Sequence, residues 1–599
     1  MKDPQGCPEG TPPVAGEETH ENQKQPGNAP SNTSRRSFLG KIGVGGAAAV
    51  ALAAVPLEPL IEGKHGEAEA ATVPYGASAR AQASLNYRRA TINSNVGPAT
   101  EAPDNGDSQI YTDYSALYSK GLQHDALGIP NAASYQSMLH ALQTGNFSDF
   151  KNILVGNPGG FGKLNGIQGC LAFDLEGHDS HQYQIPPNPG VASAQTAAEE
   201  VEHYWAGICR DVNFTDYSGS GLISQACTDL NNLSYVQSQN SQFPHPVTPA
   251  NIFRGQIVPG DGPVQGPYLS QFMIQPCFFG AQPMTCQLQR FNNGQEFLTD
   301  PNEYQHVQNG GTPDGHVTFD STYRFLRMGR DMAAYTRVDV LYQAYFTAFL
   351  VLGAIGAPLN PGNPYIGSLS EKGFGTLGGP DAAGTIGEMA TRALKAAWFH
   401  KWIVDLRLRP EEYGALVHAR LTNQNPMPQA AAALPAEMLN SAALPIIHSA
   451  YGSYLLPQPF PEGSPTHPCY PTGHGTVGGA CITAIKFFYD GSQRIRPLLQ
   501  NIGRDIYQPS EDGLSLVPYT GSDGDDLTIN GELAKLGWNI TQGHGIHAGI
   551  HFRSSSLWSL LLGEQVGLSV LRDRSKSYNE PFTIHITKFD GTTATITNP

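Results

Sequence analysis

The chain has 599 residues and a formal charge of −16, from Lys+Arg 36 against Asp+Glu 52. With 40% hydrophobic and only 15% charged residues, wholesale disorder is excluded, and so is the concentrated basic face that nucleic-acid binding requires. Gly 67 and Pro 46 predict a globular protein with many long ordered loops.

Residues 1–33 are polar and read as an unstructured leader. Ser34-Arg35-Arg36-Ser37-Phe38-Leu39 follows, then Lys41 and an apolar Gly/Ala run from Ile42 to Val55. That run is shorter than the roughly 20 residues of a membrane span. It fits a secretion signal, with Ala68-Glu69-Ala70 as a small-residue cleavage site. The paired arginines ahead of Phe38-Leu39 read as a twin-arginine export signal, so residues 1–70 are expected to be removed and the mature protein to be periplasmic or secreted. Beyond the leader lie seven cysteines, of which Cys209–Cys227 and Cys277–Cys286 are the candidate short-loop disulfides in an oxidising compartment. No Cys-x-x-Cys pair occurs, which disfavours a cysteine-built zinc site.

From about residue 75 onward helical periodicity dominates. Helices are predicted over Ala198–Arg210, Tyr335–Leu352 and Glu388–Leu406. The run from Ala344 to Ala357, interrupted only by Thr347, reads as a buried core helix and not a membrane span. Segments 240–270 and 355–385 are Gly/Pro-rich and predict loops. Near the end Phe582, Ile584 and Ile586 alternate with polar residues, and the Asp590-Gly591 turn leads to a return strand at Ala594–Ile596, a β-hairpin signature. The expected fold is mainly α: a large single-domain helical bundle with a small C-terminal β-hairpin. Its expected parts are the leader (1–70), an N-terminal helical half (71–380), a C-terminal half carrying the site (381–578) and the hairpin (579–599).

Three segments gather cations and histidines. In the first, Lys401, Asp405 and Arg409 are spaced by four, so a helix ending at Arg409, just before Pro410, would place them on one side. Taken alone, this also fits a solvated charged face. In the second, His467-Pro468-Cys469-Tyr470-Pro471-Thr472-Gly473-His474 runs into Val477, Cys481, Ile485 and Phe488 at helical spacing. Thr472 and Gly473 then stand at a helix start, whose free N–H groups suit an oxyanion, with His474 placed to exchange a proton. An N-cap threonine with two incidental histidines is the plainer alternative. In the third, His544, His547 and His551 fall within eight residues, ahead of an apolar helix from Leu557 to Val570. A Gly/His-rich surface loop fits that segment equally well. His547 and His551 at i,i+4 could bind zinc, but no HExxH glutamate or third ligand accompanies them.

Together, Lys-x7-Arg-Pro, Pro-Thr-Gly-His and Gly-Ile-His resemble the vanadium-dependent haloperoxidase family, in its algal and cyanobacterial bromoperoxidase branch. The stretches Arg210–Tyr217, Gly266–Phe272 and Ser559–Gln565 resemble that branch as well, and the likeness covers roughly residues 80–580. It implies a vanadate cofactor held by Lys401, Arg409, Thr472 and the Gly473 amide, with His551 as the one covalent ligand and His474 as acid–base partner. His467 occupies the pocket position that is histidine in the brominating algal enzymes. The substrates implied are hydrogen peroxide, a halide (bromide or iodide) and small organic acceptors, with a homo-oligomeric assembly and no membrane span.

Two departures from the pattern stand out. The family has arginine six residues before the ligand histidine, and here that residue is Gly545; a one-residue insertion would instead put His544 in the arginine's place. The carboxylate usual four residues after the histidine is Ser555 here, and loss of such a partner commonly matters about 10–100-fold. The competing readings are an acid phosphatase working through a phosphohistidine at His551 and a non-catalytic oxyanion-binding homologue with a decayed pocket.

Overall fold

A computed structural model describes residues 77–95, 97, 102–255 and 265–598. The export signal and its cleavage site lie outside those residues. At the centre stands a helix, here α6 (Gly473–Phe488), every residue of which is buried. Its sequence is small or apolar on all sides, the pattern of a helix enclosed by others. It lies against α8 (Arg553–Ser575). Glycine makes that approach possible: a Cβ on Gly479 would sit 2.0 Å from the Leu560 carbonyl oxygen, and one on Gly563 2.0 Å from that of Thr476. Two side chains wedged there would force the helices apart.

Against this pair pack α3 (Gln343–Ala354), α4 (Gly379–Phe399) and α7 (Ile529–Gln542), while α1 (Ala194–Ile208) holds the start of α8 through Glu199 and Glu202, α2 (Gly329–Val338) packs on α7, and α5 (Pro410–Leu421) on α1. The protein is mainly helical, and each sheet among the described residues is an antiparallel two-stranded pair. From Ser84 onward the chain forms one compact unit. The predicted C-terminal hairpin is present: β1 (Phe582–Thr587) pairs with β2 (Thr593–Asn598), with Ile584 opposite Ile596. Phe582, Ile584 and Ile586 face the core, as the alternation requires. No helix among the described residues is long and apolar enough to cross a membrane.

Two local departures from the expected helices, and one further π turn, create the site. The predicted 335–352 helix is two helices, α2 and α3, parted at Asp339–Tyr342. The predicted 388–406 helix begins earlier, and after Phe399 it loosens into a π turn, His400–Asp405, ended by Leu406 in the left-handed region at φ 44°. Arg409 is therefore not the last residue of a helix shared with Lys401 and Asp405; it is the extended residue that precedes α5. Nor does Lys401 pair with Asp405, whose Oδ2 instead lies 3.7 Å from His400 Nδ1. A second π turn, Gly543–His547, follows α7. Such turns accommodate one extra residue and re-aim the side chains around them.

The expected disulfides do not form: all seven described cysteines are free thiols. Cys277 stands opposite Met284 in its hairpin, and the Cys286 thiol donates to the Gln275 carbonyl at 3.3 Å.

Candidate active site

Lys401, Arg409, Thr472, Gly473, His474, His544 and His551, drawn from three separate stretches, are all buried, and they meet at the start of α6. Lys401 is brought in by the π turn after α4. Its Nζ donates to the Pro468 carbonyl at 2.5 Å and the Cys469 carbonyl at 3.3 Å, and lies 5.7 Å from the centre of the Trp398 ring. Arg409, fully enclosed, reads the two histidine segments at once. Its Nε donates to the His467 carbonyl (2.9 Å) and Nη1 to the Ile550 carbonyl (2.8 Å). Nη1 also reaches His551 Nε2, and Nη2 reaches His467 Nδ1, each at 2.9 Å. Guanidinium only donates, so both ring nitrogens are acceptors and the protons sit on His551 Nδ1 and His467 Nε2.

Among the described residues no carboxylate lies within ion-pair distance of Lys401 or Arg409. Two enclosed cations without an anion are costly, and burial, followed by Arg409, pushes Lys401 well below the usual lysine range. The start of α6 adds to the positive field. Thr472 occupies the N-cap position, yet its hydroxyl does not cap the helix and its Oγ1 is buried without a partner. The first-turn amides thus have no side-chain acceptor. A side chain on Gly473 would meet the Trp398 ring at 3.3 Å, so glycine keeps this helix end open beside the indole. Trp398 also packs on His467, ring centres 4.7 Å apart.

Opposite the cations, His474 Nε2 pairs with Asp339 Oδ1 at 2.8 Å, both buried. The break between α2 and α3 delivers that aspartate. The His544 ring lies 3.8 Å from that of His474 and 5.4 Å from that of His551, with its Nδ1 unpartnered. Burial lowers His467, His544 and His551 well below the ordinary histidine range, with the neighbouring Lys401 and Arg409 acting in the same direction.

The two departures from the expected pattern thus have structural counterparts. The π turn puts His544, not residue 545, into the pocket, while the Gly545 carbonyl accepts from the Ile550 (2.9 Å) and His551 (3.4 Å) amides. At the other, Ser555 Oγ lies 3.4 Å from Cys469 Sγ and accepts from Arg407 at 3.2 Å. Arg553 does not assist His551; it pairs with Glu202, Nε to Oε2 3.0 Å. His547 is not set beside His551 as a zinc partner but hydrogen-bonds the Tyr268 hydroxyl at 3.0 Å.

Sequence reasoning missed Asp339, Trp398 and Cys469. Asp339 carried a signal, as the one acid inside the apolar stretch from Val338 to Leu352. Cys469 sat within the motif without a role.

The arrangement can hold a small, highly charged oxyanion: two enclosed cations, helix amides, an unsatisfied hydroxyl and a ring nitrogen acceptor converge, with a His–Asp pair beside them. No family profile matches the chain. It is 30% identical over 570 residues to a vanadium-dependent bromoperoxidase of Corallina pilulifera, an alignment covering 82% of this chain and 92% of that one. A vanadium-dependent bromoperoxidase of Ascophyllum nodosum is 31% identical over 502 residues, 80% of this chain and 86% of the other. The homohexameric second vanadate-dependent bromoperoxidase of Ascophyllum nodosum superposes with a TM-score of 0.79 at 25% identity, over 91% of this chain and 95% of that one. With a fold, an anion cage and full-length relatives that agree, the chain belongs to the vanadium-dependent bromoperoxidase family.

Proposed function

We propose that this protein binds vanadate in the cage at the start of α6 and uses hydrogen peroxide to oxidise bromide or iodide to a hypohalous-acid equivalent, which halogenates organic acceptors. The observation that carries the proposal is the pair of enclosed cations, Lys401 and Arg409, with no carboxylate among the described residues to neutralise them. Such an arrangement is costly until an anion completes it.

The residues fit the group. Lys401, Arg409, the Gly473 amide and the orphan Thr472 hydroxyl would hold its oxygens. His551 would ligate through Nε2, the nitrogen that the Arg409 hydrogen bond leaves unprotonated. His544 takes the place of the arginine found elsewhere in the family, as a neutral neighbour of both His474 and His551. When bound, vanadate supplies a Lewis-acid centre that makes peroxide electrophilic toward halide without a change of oxidation state. His474 holds and returns the proton that peroxide must shed, and Asp339 orients its ring. His467, with its proton on Nε2, offers an N–H donor of the kind that steadies a halide.

Two further parts belong to this reading. The hexameric neighbour favours a homo-oligomer, which sedimentation velocity would read. The order of Arg35-Arg36, apolar run and Ala68-Glu69-Ala70 favours export, tested by fractionating cells that express the full chain.

The test of activity is bromination of a phenolsulfone dye by vanadate-loaded protein with peroxide, from acid to neutral pH. Turnover with bromide or iodide that disappears in His551→Ala is expected. No turnover with either halide at any pH would contradict the proposal.

A further inference from the structure

The ligand histidine of this chain lacks the carboxylate its relatives' pattern would place behind it, yet its outer nitrogen is not left alone. Arg409 Nη1 donates to His551 Nε2 at 2.9 Å, so the ring proton sits on Nδ1. The partner within reach of Nδ1 is the sulfur of Cys469, at 3.4 Å. That sulfur is fully buried and belongs to a chain of contacts. Ser555 Oγ stands 3.4 Å from it, the Ile550 carbonyl 3.9 Å. Arg407 Nη1 donates to Ser555 Oγ at 3.2 Å and to Ser554 Oγ at 2.8 Å, and its Nη2 lies 3.4 Å from Glu199 Oε2. Since Ser555 accepts from Arg407, its own proton is free to be donated to the sulfur, and the thiol proton is left for the Ile550 carbonyl. The Thr472 amide donates to the Ser555 carbonyl at 3.3 Å, tying the same serine to the start of α6.

Resting on the function proposed above, we propose that Cys469 is the positioning residue of His551. Its sulfur accepts the Nδ1 proton and so aims Nε2 into the anion cage, the task a carboxylate performs elsewhere. Ser555 and Arg407 hold the sulfur in turn. Cys469 and Ser555 then act together: where the family pattern has a charged acceptor behind the ligand histidine, this chain has a neutral sulfur backed by an arginine.

The test compares Cys469→Ala, Cys469→Ser and Cys469→Ala/Ser555→Asp with the wild type, by calorimetric titration of orthovanadate into the whole protein. Alanine should weaken vanadate binding about 10–100-fold, serine should stay within a few-fold of wild type, and the aspartate should restore what alanine lost. Histidine nitrogen NMR shifts of the vanadate-free proteins give a reading that does not depend on the anion. Arg409 should keep the His551 proton on Nδ1 in every variant, but that Nδ1–H should carry the shift of a hydrogen-bonded proton in wild type and Cys469→Ser and lose it in Cys469→Ala. Wild-type affinity in the alanine variant, or equal losses in serine and alanine, would overturn the role of Cys469. Absence of vanadate binding in the wild type would overturn the functional reading, and the Nδ1–H shift comparison would still decide the role of the thiol.

Discussion

A single glycine separates two ways of aligning this chain with its relatives, and the structure decides between them. If residue 545 held the pocket arginine's place, Gly545→Arg would complete the cage. The geometry predicts the reverse. A Cβ on Gly545 would lie 2.9 Å from the His551 carbonyl oxygen, 3.1 Å from Ser556 Oγ and 3.2 Å from His551 Cβ. The first of these is backbone and cannot swing aside, and the Gly545 carbonyl anchors the amides of Ile550 and His551. Overpacking of this kind costs about 1–3 kcal/mol, most of it borne by the loop that carries the ligand histidine. Gly545→Ala and Gly545→Arg should therefore both weaken vanadate binding, by up to about a hundredfold at 1.4 kcal/mol per decade. His544→Arg places the new guanidinium where the π turn already aims a side chain, beside His474 and His551. One added charge-assisted hydrogen bond is worth about 1.5–3 kcal/mol, so affinity should rise about tenfold or more. Titration calorimetry of the three variants, with thermal melts of the vanadate-free proteins, reads both effects. Tighter binding in Gly545→Arg together with loss in His544→Arg would refute the reasoning.

Lys401→Met removes an enclosed cation that has no carboxylate partner among the described residues. It should abolish vanadate binding while raising the stability of the vanadate-free protein by about 1–4 kcal/mol, seen by denaturant unfolding; a destabilised variant that still binds would contradict this. Asp339→Asn keeps the contact with His474 but removes its charge, and turnover should fall about 10–100-fold with vanadate affinity little changed. Steady-state kinetics and titration on the same preparation separate the two. Acid stability follows from His203 and His547, enclosed histidines lowered by burial to about 3. Their folded values lie below the unfolded 6.5, so the stability they contribute is full above pH 6.5 and lost as pH falls toward 3. Each should cost about 2 kcal/mol at pH 5. His203→Phe should flatten the fall in unfolding free energy between pH 7 and 5, and an unchanged slope would count against this.

Much of this was legible in the sequence because the chemistry sits in short runs of unusual composition. Pro471-Thr472-Gly473-His474 announces a helix start, and the small-residue pattern of Gly473–Phe488 announces its burial. The alternation Phe582, Ile584, Ile586 likewise settled the hairpin. What escaped was set by breaks in helical geometry that periodicity does not encode. Lys401, Asp405 and Arg409 sit at four-residue spacing, yet a π turn and the left-handed Leu406 divide the two cations between two elements. The run from Tyr335 to Leu352 looks continuous, yet it parts at Asp339 and swings that carboxylate to His474. The extra residue in the Gly543–His547 turn decides whether residue 544 or 545 enters the pocket, a choice that spacing alone left open. The role of Cys469 depends on which nitrogen of His551 is protonated, and only the position of Arg409 reveals that.

The central claim is that an oxyanion cage closes on one ring nitrogen. Anomalous scattering at the vanadium edge from crystals soaked in orthovanadate tests it most directly. One strong peak at bonding distance from His551 Nε2, ringed by Lys401, Arg409 and the Gly473 amide and absent from His551→Ala crystals, is the predicted result. A peak elsewhere, or one at the same place that survives loss of the imidazole, would contradict the account.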